Sequence, residues 1–426
     1  MRHILLLALL TLSLSAETRT LTLRQAVDLA LEQNPDLMLA RLDQQKSALS
    51  VNLVAEPLLP RVYAGSGLAY TYGFPVSLDG SAPSIFQARA ERSIYNASAR
   101  LATAQAREQV RGAAMGAESI KEEVALRTAV LFLDLERTVR SRSLLQHQVE
   151  SLARIEAAVR LRVAEGRELP IEGKRAAVNL ARARQRLSAL GGSAASLSRS
   201  LSQTLGLPAA ITIEPAMEER TALGAAIAEN ELIQESVRGN AELRRLESDL
   251  KAQALAARMN RAKRLPSVNL IAQYSLLGKF NNYEDFFRRF QRHNAQIGAS
   301  IMFPLFANPQ DEAAASQADI EVRKLRIQAE SLRARIEAGT RESLRKAADA
   351  EAYQEVAKLD LEVAREQVSI LLSLTEEGRA STLQLEEARV AEQEKWSAYH
   401  QALYEVERAR LEALRHSGQL IATMRR

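Results

Sequence analysis

The chain has 426 residues, of which 46% are hydrophobic but only 4% aromatic, with 57 basic side chains against 52 acidic ones. Ala, Leu, Glu, Arg and Gln dominate while Gly and Pro are sparse, a composition of long helices and coiled coils rather than of an ordinary globule. Arginines are interleaved with glutamates and no run of five like charges occurs, which speaks against nucleic-acid binding. There is no cysteine, so neither a disulfide framework nor a lipid on an N-terminal cysteine is available.

The opening "MRHILLLALLTLSLSAETRT" has Arg2 ahead of an apolar run from Ile4 to Leu14, and small residues up to Ala16. This pattern predicts a cleavable export signal over residues 1–16, cut near Ser15 or Ala16. The run is too short to span a bilayer, and no later stretch approaches 18 consecutive apolar residues. A membrane span in the mature chain would have to be built from strands.

The rest of the chain reads as two tandem structural repeats. A shift of 206 residues superposes Asn34 on Asn240, Leu37 on Leu243, Asp43 on Asp249, Leu59-Pro60 on Leu265-Pro266 and Val62 on Val268. A shift of 212 superposes the "EGR" at Glu165–Arg167 on that at Glu377–Arg379, and Gly206 on Gly418. The first repeat is predicted over residues 17–206, a linker or equatorial segment over 207–218, and the second repeat over 219–426.

Each repeat has one plan. A first helix (residues 21–56 or 219–264) stops at Leu-Pro, because proline lacks the backbone donor and restricts the residue before it. Two strands follow, at 62–74 and 86–95 in the first repeat and at 267–277 and 295–306 in the second. A long helix runs over 97–165 or 309–377, and at 1.5 Å per residue extends for about 100 Å. A tight reversal leads to a last helix over 170–205 or 381–421. Between the repeats, "LGLPAAITIEPAM" reads as linker. Leu131, Leu145, Leu152 and Val159, and again Val356, Val363 and Ile370, recur at heptad spacing, which predicts packing against partner helices.

Fourteen of the 18 Phe and Tyr residues fall in 62–95 or 268–306. Leu68, Tyr70, Tyr72 and Phe74 share one strand face, as do Val268, Leu270, Ala272, Tyr274 and Leu276. Ile297, Ala299, Ile301 and Phe303 alternate with Gln296, Gly298 and Ser300. Gln87, Arg89, Glu91 and Ser93 alternate with Phe86, Ala88, Ala90 and Ile94, Arg92 being the misfit. Apolar-out, polar-in strands with aromatic ends are the pattern of a membrane barrel, with Tyr70, Tyr72, Phe74, Tyr274 and Phe303 as its membrane aromatics. A soluble sheet packed on helices gives the same alternation. Four strands cannot span alone, since an open sheet in hydrocarbon leaves two edges of unpaired backbone groups. Closure therefore requires further copies, and the strand count permits 8, 12 or 16 strands.

The order and spacing of "LTLRQAVDLALEQNPDL", "LLP" and "RLP" before the strands, "IGASIMFPLF" before the second long helix, the duplicated glycine hairpins and "ERARLEALRHSGQL" at the end resemble the TolC-like outer-membrane factors. The resemblance covers nearly the whole mature chain. It implies a mainly α fold whose long antiparallel α-helical hairpins form an α-barrel, with four β-strands per chain completing a trimeric 12-stranded β-barrel. It implies a passive duct of tripartite efflux or type I secretion, in the outer membrane with a large periplasmic portion. The implied partners are outer-membrane lipid, two sister subunits, a periplasmic adaptor, and an inner-membrane pump or ABC transporter.

The two reversals would be periplasmic tips, with Glu165, Gly166, Arg167, Glu377, Gly378 and Arg379 as adaptor contacts of charged character. Ser381 and Gln384 form an S-x-x-Q capping box. The family's acidic pair at the entrance falls on Gln384 and Glu387, of which only Glu387 keeps the charge, making three charges per trimer. Gly112 and Gly116 are read as a close helix contact. The five histidines lack ligand spacing, and no phosphate loop, nucleophile elbow or metal cluster is legible, so neither an enzyme nor a cofactor site is expected. The competing function is a periplasmic coiled-coil adaptor or scaffold, which leaves the duplicated strand pairs unexplained.

Overall fold

The computed structural model describes residues 18–67, 84–208, 210–217, 229–278, 291–306, 308–416 and 418–424. In chain order the elements are β1 (Thr18–Leu21), α1 (Leu23–Gln33), α2 (Pro35–Ala55), a 3-10 turn at Glu56–Leu58, β2 (Arg61–Gly67), β3 (Ser84–Tyr95), α3 (Ala97–Ala164), α4 (Pro170–Thr204) and β4 (Thr212–Pro215). There follow α5 (Glu229–Gly239), α6 (Ala241–Ala262), β5 (Ser267–Leu277), β6 (His293–Met302), α7 (Pro309–Glu376), α8 (Thr382–His416) and α9 (Leu420–Met424). α3 and α7 each have 68 residues, α4 and α8 each 35, α1 and α5 each 11, and α2 and α6 21 and 22.

Two compact units result, and they do not follow chain order. One gathers 1–39, 118–241 and 333–426; the other gathers 40–117 and 242–332. α3 and α7 contribute to both.

The first unit holds the main core. Leu23, Val27, Ala30 and Leu31 of α1 pack with Val124, Phe132, Leu133 and Leu135 of α3, Leu201 of α4, Leu411 of α8 and Leu420 of α9. α1 begins with a capping box: the Gln25 N–H donates to Thr22 Oγ1 at 3.2 Å, and the Thr22 N–H donates to Gln25 Oε1 at 3.0 Å. It ends at Asn34, because the residue before proline avoids the helical region. Asn34 is buried and satisfied on every side. Its N–H donates to the Ala30 carbonyl at 2.9 Å, its Nδ2 to the Thr204 carbonyl at 2.7 Å, and its Oδ1 accepts from the Leu37 N–H at 3.1 Å.

Three expectations are corrected here. The first helix of each series is two helices: at Asn34-Pro35 proline starts α2 as readily as it ends α1, and the second series breaks at Asn240 without a proline. The "linker" is also structured. Its β4 pairs in parallel with β1, Thr18 opposite Thr212 through Leu21 opposite Pro215. Two buried serines of α4 hold it: Ser198 Oγ accepts from the Ile213 N–H at 2.8 Å, and Ser202 Oγ donates to the Ile211 carbonyl at 2.8 Å. The last predicted helix likewise breaks after His416 at Gly418, with α9 beyond it.

Among the described residues four glycines have positive φ, Gly166, Gly206, Gly378 and Gly418, between 68° and 71°. Each closes a helix with paired 5→2 and 6→1 hydrogen bonds, as where the Gly206 N–H donates to Gln203 and the Leu207 N–H to Ser202. At Gly206 a Cβ would also lie 2.4 Å from the Gln33 carbonyl oxygen, whereas at Gly166 it would meet nothing within 4 Å.

The second unit contains the sheet described below and helices in close approach. A Cβ at Gly112 on α3 would lie 3.0 Å from Asp249 Oδ1 on α6, which accounts for the small residue there. α6 and α7 meet through Ala256, Ala257 and Ala318, flanked by Lys263–Asp311 at 2.7 Å, Arg264–Glu312 at 3.0 Å and an Arg261–Asp319 pair.

Half-buried His400 and His416, both in the first unit, have pKa values held below the ordinary value, chiefly by burial and secondarily by Arg140 and Arg415 respectively. The unfolded chain binds those protons more readily, so stability falls as pH drops below about 6.5. Replacing both by Gln is expected to flatten that part of the stability–pH curve; a slope as steep as wild type would contradict the assignment. Gly166→Ala is expected to cost about 1–2 kcal/mol from its left-handed backbone alone, and Gly206→Ala distinctly more because of the Gln33 carbonyl. Thermal unfolding of the two variants side by side tests this, and equal losses would refute it.

Candidate functional site

The sheet of the second unit has the strand order β2-β3-β5-β6, antiparallel throughout. Its register brings residues of like polarity onto one face. Ala88 of β3 stands opposite Ala64 on one side and Tyr274 on the other, and Tyr274 stands opposite Ala295. The same rows join Val62 to Ala90, Ala272 and Ile297, and Phe86 to Leu276. The opposite face carries Arg61, Gln87, Arg89, Glu91, Ser93, Asn269, Gln273, Gln296 and Ser300, with Tyr63, Ile271 and Met302 among them. On it Arg89 and Glu91 form an ion pair at 3.3 Å.

Among the described residues nothing covers the apolar face. Ile297 is 80% exposed, Val62 73% and Ile301 57%. Phe86, Tyr274 and His293 form a cluster across β3, β5 and β6 at one end of that face. Their ring centroids lie 6.4 and 6.2 Å apart in sequence, and Tyr274 Oη is 2.7 Å from His293 Nδ1. At the other end a bulge between Ser93 and Tyr95 changes the phase, so Tyr95 rather than Ile94 stands opposite Val268. Arg92 lies on the apolar face opposite Leu270, three residues from that end. Tyr70, Tyr72 and Phe74 lie outside the described residues, and Phe303 is exposed just beyond β6.

The hairpin turns lie in the first unit. Glu165, Gly166 and Arg167 form the α3–α4 turn, and Glu377, Gly378 and Arg379 the α7–α8 turn. In each turn the charges pair with each other, Arg167 with Glu165 at 3.3 Å and Arg379 with Glu377 at 3.1 Å. Pro170 starts α4. Ser381 and Gln384 make the capping box of α8: the Gln384 N–H donates to Ser381 Oγ at 3.2 Å, and the Ser381 N–H to Gln384 Oε1 at 2.9 Å. Glu387, one turn on, is exposed.

Its neighbour Glu386 is buried and was not singled out from sequence. It lies 3.3 Å from Arg154 of α3 and 2.8 Å from Arg389. Nothing in the sequence distinguishes the two glutamates, because the partner Arg154 is 232 residues away. Further along the same helix pair, buried Tyr404 donates to Asp134 at 2.7 Å, and burial together with that bond raises its pKa. Among the described residues no helix is long and apolar enough to cross a membrane and no acidic or histidine cluster could hold a metal.

These features define a helical hairpin protein with an amphipathic four-stranded sheet, and the chain has the TolC-like fold. No family model and no curated sequence matches it. Among solved structures it is similar to a membrane protein from Pseudomonas aeruginosa, with a TM-score of 0.75 at 16% identity over 93% of each chain. It is also similar to CusC, described as forming a transmembrane channel, with a TM-score of 0.74 at 13% identity over 93% of this chain and 92% of that one. The Campylobacter jejuni CmeC outer membrane channel gives a TM-score of 0.74 at 15% identity over 93% and 86% of the two chains.

Glu386→Gln is expected to destabilise the protein by about 1–2 kcal/mol, the arginines being partly exposed. Glu387→Gln is expected to leave the unfolding temperature within error of wild type. Thermal unfolding in detergent checks both, and the reverse order would show that the burial assignment is wrong.

Proposed function

We propose that the chain is the subunit of an outer-membrane channel, a passive duct from periplasm to exterior. It would work in tripartite efflux or type I secretion, driven by an inner-membrane pump through a periplasmic adaptor. The observation that carries this is the bare apolar face of a sheet whose other face is polar. A water-facing sheet does not leave Ile297, Val62 and Ile301 wet across adjacent strands; a sheet facing lipid does. The dimension also suits a bilayer. Phe86 to Tyr95 on β3 covers about 30 Å along the strand, or about 23 Å upright at a tilt near 40°.

Three copies of a duplicated chain would close a 12-stranded barrel, four strands each. Their long hairpins would continue it as a helical tunnel in the periplasm. The row Val356, Val363 and Ile370 on α7, more than half exposed in the single chain, supports packing between copies. The turns at Gly166 and Gly378 would be the periplasmic tips that meet the adaptor. Their exposed ion pairs, Glu165 with Arg167 and Glu377 with Arg379, would make that contact a charged one. Glu387 would line the entrance, while Gln384 serves as a cap. Residues 1–16 would be removed on export.

The test is to extract the full-length protein with detergent, determine its native mass and record conductance in planar bilayers. A trimer with ion-conducting steps is expected, with cation preference weakened by Glu387→Gln. A water-soluble monomer that conducts nothing would sink the proposal.

A further inference from the structure

We infer that the barrel closes by pairing the free edge of β6 in one copy with the free edge of β2 in the next, antiparallel, with Phe303 opposite Ala64. This rests on the trimeric barrel proposed above and adds the contact that makes it.

Among the described residues both edges of the sheet, β2 and β6, lack a neighbouring strand. The two hairpins are built alike. The β2–β3 ladder begins with Arg61 opposite Glu91, and the β5–β6 ladder begins with Ser267 opposite Met302. β2 thus maps onto β5 by a shift of 206 residues and β3 onto β6 by a shift of 211. Beyond its hairpin β3 continues to Tyr95, and there its only partner is β5: Arg92 stands opposite Leu270 and Ser93 opposite Asn269. The equivalent continuation of β6 is Phe303-Pro304-Leu305-Phe306, which ends as a strand at Met302 and leaves Leu305 and Phe306 85% and 90% exposed. What β3 has and β6 lacks is a second neighbour. Mapping Arg92 and Leu270 by the two shifts places Phe303 against Ala64 of another copy.

Two independent features agree with this register. Ala64 and Phe303 both belong to the apolar series, so the bare face runs on across the seam without a change of phase. The backbone donors agree as well. The Leu277 N–H donates to the Arg292 carbonyl at 2.9 Å, and in an antiparallel ladder alternate residues bond to the same side. Residues 292 to 302 with even numbers therefore bond to β5, and 301, 303 and 305 turn their N–H groups to the free edge. Pro304 places its missing donor on the β5 side, where pairing has already ended, and leaves the free edge competent. Pro304 stops one ladder and spares the other.

The chain has no cysteine, so introduced thiols have no competitors. Within one chain β2 and β6 are three strand spacings apart, about 14 Å, too far for a disulfide. Ala64→Cys/Phe303→Cys in the full-length protein is expected, on oxidation, to give covalent dimers and trimers on a non-reducing gel. Its yield is expected to be at least about tenfold above the two-residue shifts Ala64→Cys/Ile301→Cys and Ala64→Cys/Leu305→Cys, whose thiols lie outside disulfide range. Gly65→Cys/Met302→Cys examines the same register from the polar face, should the apolar pair disturb assembly. A native trimer in which a shifted pair links best would overturn the register and leave the trimer standing. A native monomer with no interchain link in any variant would remove the trimer itself.

Discussion

A backbone donor without an acceptor costs little in water and several kcal/mol in hydrocarbon. That difference governs the sheet of this protein. Its apolar face is the surface a lipid would wet, yet among the described residues neither edge strand has a strand partner on its outer side. A single copy cannot satisfy both conditions at once. In the proposed barrel the hydrophobic gain of the face and the pairing of the edges arrive together, so membrane insertion and assembly are coupled.

The helices obey a milder constraint. α3 and α7 run for 68 residues without a proline beyond their first turn, and charges on them pair with opposite charges on the same helix, as Lys121 with Glu118 and Lys346 with Glu342, or on the next, as Glu351 with Arg410. Such pairs contribute little each where exposed. Their bearing is on solubility along a surface that has few large apolar residues to bury. The tight contacts are made by Gly112 against α6 and by the Ala256–Ala257–Ala318 cluster, where the absence of side-chain bulk lets the helix backbones approach.

Much of this was legible in the sequence, for local reasons. The bounds of α3, α4 and α7 came within about a residue, because the proline that opens α4 and α7 and the glycine that follows the end of each helix are direct backbone requirements. The strands were legible from their period of two, and the cap at Ser381–Gln384 from its spacing. What was missed depends on distant partners. β4 is four residues long and includes a proline, so no pattern announces a strand until β1 lies beside it. The Ser93–Tyr95 bulge, which hands the apolar phase to Tyr95, follows from a neighbour 173 residues away at Val268. The burial of Glu386 rather than Glu387 has the same character. The helix break at Asn34 was a different kind of miss: Pro35 is compatible with helix on its C-terminal side, and the pattern alone ran through it.

The core of the first unit is drawn from both extremes of the described chain and its middle: Leu21 at the end of β1, Ile213 in β4, and Leu420 and Met424 in α9. In the proposed export route such a polypeptide would emerge gradually, its early segments having nothing to close upon. β1 waits for about 190 further residues, and the hydrophobic cluster stays open until almost the last turn has crossed. Loop closure of that length is slow. A chain exported in the proposed way would spend that interval with apolar surface uncovered.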